Sequence, residues 1–116
     1  MELRNLIDAV LAGDLLMARQ WVADAQRENV NWERLPCPQE FSGPAMIVAA
    51  ALVELFAGRA GENPPRWTAS VGAGDPLVLD PGLEDMPRSF ARAKAAGPEP
   101  LRKRNLFALP DFLDVA

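Results

Sequence analysis

Apolar and polar positions along the first quarter of the chain recur with the period of a helix. Leu3, Leu6, Ile7, Val10 and Leu11 fall three and four apart, which gathers them on one face and leaves Glu2, Arg4, Asn5 and Asp8 on the other. The spacing predicts an amphipathic helix over 2–12, ended by Gly13. Asp14 offers the side-chain oxygen that a helix N-terminus needs, and Leu15, Ala18, Trp21, Val22 and Ala25 make the next stripe, so a second helix is expected over 15–28. The Gly-Asp step between them is short enough to fold the pair into a hairpin.

The period is lost in NVNWERLPCPQEFSG, residues 29–43, where Pro36 and Pro38 forbid a regular helix and restrict the residues before them. Val30, Trp32, Leu35 and Phe41 are too apolar for a solvated linker, so an ordered loop is expected. Ser42 then stands as a cap and Pro44 sits in a first turn, where its missing N–H costs nothing. The helix that follows, to about Gly58, is apolar almost all round and belongs at the centre of a core.

Residues 61–86 are dense in Gly and Pro and predict mostly loop. Leu77, Val78 and Leu79 favour an extended segment, but the pattern shows no second strand to pair with it. Short helices are expected from Pro87 to Ala96 and from Pro98 to about Arg104, and a last turn from Pro110 carries Phe112 and Leu113. The fold class is therefore mainly α. One small domain of 116 residues is expected, with a helical core over 1–60, an irregular Gly/Pro-rich loop over 61–86 and a short-helical tail over 87–116 packed on the core.

Composition narrows the chemistry more than the fold. There is no histidine, no tyrosine and one cysteine, Cys37, so the usual general base, the commonest metal ligand and any internal disulfide are all missing. No metal or cofactor site is expected, and a catalytic role would fall to carboxylates. Asp75, Asp80, Glu84 and Asp85 crowd the 61–86 loop, but two of them precede proline, a routine turn signal, and their spacing matches no calcium loop. A carboxylate-based hydrolase is the weakest of the functional readings. The longest apolar run, Met46 to Val53, is well short of the roughly 20 residues needed to span a bilayer. With neither a membrane segment nor a secretory leader in the pattern, a cytoplasmic protein is expected.

Charge points to a surface. Residues 88–104 hold six cations, Arg88, Arg92, Lys94, Arg102, Lys103 and Arg104, against Glu99 alone, so this window is +5 in a chain of net charge −4. Such a patch suits an acidic protein surface or a phosphate, although it serves equally as a solvated face that offsets nearby carboxylates. Trp67, after a double proline, is the tryptophan expected to be partly exposed.

Two stretches resemble known proteins. LIDAVLAGDLLMARQWVADA, residues 6–25, resembles the helical hairpin of an ankyrin repeat, without the threonine-proline-leucine-histidine signature. The tail pattern on Pro65, Trp67, Pro100, Leu101, Arg102, Arg104, Asn105 and Phe107 resembles that of small uncharacterised bacterial proteins associated with toxin-antitoxin gene pairs; here Arg66 separates the proline from the tryptophan. What the second resemblance implies is a noncatalytic protein-binding module, the antitoxin-like neutralising partner of a toxin. On this reading the contact residues are Trp67, Arg88, Arg92, Arg102, Lys103, Arg104 and Phe107, and self-association into a homo-oligomer is compatible with it. Nucleic-acid binding through the same cations is the alternative, which the net negative charge disfavours.

Overall fold

Gly13 adopts the left-handed conformation, φ 75°, that an L side chain resists, and this reverses the chain between the first two helices. In the computed structural model, which describes residues 2–115, α1 spans Leu3–Leu11 and α2 spans Leu15–Arg27. The Asp14 N–H reaches the Ala9 carbonyl at 2.9 Å and the Gly13 N–H reaches Val10 at 3.1 Å, closing the end of α1. The Asp14 side chain then accepts from the Met17 N–H and opens α2. The expected hairpin is present.

α3, Gly43–Arg59, is the central helix. Val48 to Val53 are all fully buried, because α1, the 3₁₀ turn at 32–34, the 3₁₀ turn at 66–70 and the C-terminal short helix each cover a different side of it. Each fully buried Val or Leu contributes about 1.5–3 kcal/mol. Ser42 stands before the helix as expected, but its side chain makes no capping hydrogen bond.

The tail folds back over this core through α4, Pro87–Ala96, and the single turn α5, Glu99–Arg102. The extended segment at Leu77–Val78, β1, has a partner after all: it pairs in parallel with Leu106–Phe107, β2, with Leu77 opposite Leu106. Periodicity was blind to this pairing because the strands are two residues long and almost thirty positions apart. Asn105, at φ 61°, turns the chain from α5 into β2, and its side-chain amide donates to the Gly74 carbonyl at 2.9 Å. Among the described residues the fold is mainly α, with a radius of gyration of 13.2 Å, close to the ~13 Å of one domain this long. No helix of these residues is long and apolar enough to cross a membrane.

Candidate functional site

The six cations of the 88–104 window part company in three dimensions. Arg88 and Arg92, one turn apart on α4, are exposed. Lys94 is exposed and sits 4.2 Å from the centre of the Phe90 ring, a cation–π contact. Arg102 is exposed, with its Nε–H donating to the Gly97 carbonyl. Arg88 and Arg92 leave a positive face on α4, while Lys94, about 200° round the helix from Arg92, and Arg102, on α5, are exposed apart from it.

Arg104 does not belong to that face. It is 2 % exposed, and Nη1 and Nη2 meet the two carboxylate oxygens of Glu54 at 2.9 and 2.8 Å. Lys103, half exposed, reaches Glu54 Oε1 at 2.8 Å. Arg104, expected among the contact residues, is therefore interior, while Lys103 keeps half its surface in water. Glu54 is the one carboxylate of α3, whose side chains are otherwise apolar until Arg59 at its end, and a buried anion demands a paired cation. Burial pushes the Glu54 pKa up, but the hydrogen bonds from Arg104 and Lys103 outweigh it and hold the carboxyl at about 2. An isolated carboxylate inside the central run 46–57 was the signal that would have exposed this pair.

Trp67 is half-buried, in line with the expected partial exposure. Its indole N–H donates to the Leu35 carbonyl at 2.8 Å, tying the 3₁₀ turn 66–70 to the proline-flanked loop. That turn packs on α3, whereas α4 packs on β2 and on the 3₁₀ turn at 83–85, so Trp67 and the α4 cations are anchored to different parts of the fold. Phe107 is half-buried, with its ring edge-on to Phe90 at 6.0 Å. Leu106, Phe112 and Leu113 behind it are buried in the core, as a structural clasp requires.

The carboxylates of the loop are also dispersed in role. Asp75, Glu84 and Asp85 are exposed, while the half-buried Asp80 accepts the Leu109 N–H at 2.8 Å and so pins the tail to the loop. Burial raises the Asp80 pKa; the Leu109 bond opposes that rise, and nearby Asp111 adds to it. Among the described residues no group of three or more Cys, Asp or Glu is placed to hold a metal ion. Cys37 is half-buried beside the Pro38 carbonyl.

A different surface stands out. Leu16 is 83 % exposed, and Leu11 and Met17 are each 42 % exposed, all within seven residues around the hairpin turn. On α2 the buried stripe is Ala18, Val22 and Ala25, and Leu16 and Met17 lie off it. Sequence reading missed this patch because it counted Leu11 into the core stripe of α1 and passed over Leu16 and Met17 as neighbours of Leu15. No protein-family model matches the chain, and no curated protein or solved structure matches it.

Proposed function

We propose that the protein is a noncatalytic protein-binding module that meets its partner through the tip of the α1–α2 hairpin. The observation that carries this reading is Leu16, a large aliphatic side chain left 83 % in water with Leu11 and Met17 beside it in sequence. An apolar centre with charge nearby is the usual make-up of a protein interface, and here the exposed Asp8, Asp14 and Arg19 lie within about a turn of these residues along the chain. The partner is a protein of the cytoplasm; the resemblance of the tail adds that it is a toxin held inactive. Phosphate binding is the less favoured reading, because Lys103 and Arg104 are drawn to Glu54 and the cations left exposed, Arg88, Arg92, Lys94 and Arg102, do not share one face.

The test is capture from the native host with three baits: the unaltered protein, Leu16→Lys, and Arg88→Ala combined with Arg92→Ala. The reading expects one protein retained in stoichiometric amount by the first and third baits and lost with the second. Loss with the third bait alone, or retention of nucleic acid that salt removes, would transfer the function to the basic face.

A further inference from the structure

The last turns of α2 and α3 end side by side at a pocket of about 600 Å³, within the 300–1,000 Å³ range of small-ligand sites. Its floor is apolar. Val22, Val30, Trp32, Phe56 and Leu113 line it, with the Trp32 and Phe56 ring centres 5.3 Å apart. Its rim is rich in acceptors, since Gln26 and Asn29 from the end of α2, Glu62 from beyond the end of α3 and Asp114 from the C-terminal turn surround the opening. A helix C-terminus carries partial negative charge, and two of them meet here. Leu113, a buried leucine held at φ 53° in the left-handed region that L side chains resist, lies on the pocket wall.

Among the described residues Arg59 is the one lining cation, and it is already committed. Its Nη1 donates to the Phe112 carbonyl at 2.7 Å, Nη2 faces Pro110 at 3.4 Å, and the guanidinium carbon lies 5.9 Å from the Phe56 ring centre. Asp111 and Asp114 also lie in its field. Glu62 spends one oxygen on a long contact of 3.4 Å from the Glu33 N–H. Among the described residues the lining side chains Arg59, Glu62 and Asp114 therefore sum to one negative charge around an aromatic floor.

We infer that this pocket binds an organic cation, an ammonium or guanidinium group on an apolar stem, with the stem against Trp32 and Phe56 and the charge at Glu62. The cation is either a free small amine or a lysine or arginine side chain of another protein; the chemistry of recognition is the same. The inference is independent of the hairpin-tip reading, because the pocket lies at the opposite end of α2.

Amide and indole NMR shifts of the full chain would be followed during titration with phenethylammonium, 2-phenylethanol and phenylacetate. Saturable shifts of the Trp32 indole N–H and of amides 26–30 and 59–62 are expected with the ammonium, and not with the neutral or anionic isostere. Glu62→Gln keeps an acceptor for Glu33 but removes the charge, and should weaken the ammonium roughly tenfold. Gln26→Trp, at an exposed rim position, should block it. A blocked lysine methylamide and a blocked arginine methylamide distinguish the sources: tighter binding of these than of phenethylammonium assigns the pocket to a partner side chain, and the reverse assigns it to a free amine. Equal response to phenylacetate, or no saturation by any cation up to about 10 mM, overturns the inference.

Discussion

Arg104 and Glu54, fifty residues apart, form a bidentate ion pair inside the fold, and every N–H of the guanidinium is used. Besides the two Glu54 oxygens, Nη1 donates to Pro100, Nη2 to Thr68 and Nε to Val71, at 2.9–3.1 Å. One side chain thus joins α3, α5 and the irregular loop. It adds to the strand pairing at Leu77, the Trp67 bond to Leu35 and the Asp80 bond to Leu109, which also hold this segment of little periodicity on the core.

Removing that side chain should therefore loosen the loop. Arg104→Ala is expected to cost about 3–5 kcal/mol, because it leaves a buried carboxylate with the half-exposed Lys103 as its one charged partner. Arg104→Lys should recover little of this loss, since an ammonium has three donors and no planar fork. Urea unfolding of the two variants measures both. Arg88→Ala with Arg92→Ala, on exposed positions, should leave the midpoint unchanged.

Acid stability should carry the signature of Glu54. Its folded pKa of about 2 lies below the ordinary 4.5, so its contribution is complete above about pH 4.5 and is lost as the pH falls toward 2. The full effect is on the order of 3 kcal/mol. In denaturant titrations between pH 6 and pH 2, the unaltered protein should lose this increment while Glu54→Gln, weaker at neutral pH, loses less, so that the two curves converge in acid.

The C-terminal clasp should prove unequal along its length. Phe112, 3 % exposed, should cost about 3–5 kcal/mol when truncated to alanine. Phe107 is half-buried with Phe90 at its edge, and its truncation should cost only about 1–2 kcal/mol. Thermal melts of the two variants would rank them, and equal losses would contradict the observed packing.

Gly97 predicts a steric effect without a conformational one. Its φ of −60° is open to any residue, yet an added Cβ would lie 2.5 Å from the Ala93 carbonyl oxygen and 2.6 Å from that of Ala108. Both obstacles are backbone, so they cannot swing aside. Gly97→Ala is expected to destabilise by about 1–3 kcal/mol through displacement of the turn between α4 and α5. Gly58→Ala, where nothing lies within 4 Å, serves as the control and should be neutral or slightly stabilising in its helix.

Sequence alone determined the elements whose causes are local. The period of Leu3 to Leu11, the cap at Asp14, the unbroken apolarity after Pro44 and the stop at Gly97 depend on neighbours within a few residues, and the four longer helices follow from them. Tertiary structure decided the rest. Leu77 found its strand partner at Leu106, Trp67 found the Leu35 carbonyl, and Arg104 left the basic patch for Glu54, each across a separation of about thirty residues or more. The same holds for the surfaces. Leu11, Leu16 and Leu15 are alike in sequence, and only the packing of α2 on α1 and of α1 on α3 settles which of them is covered and which faces water. A charge or an apolar side chain is legible in the chain by itself, but its exposure is a property of everything folded around it.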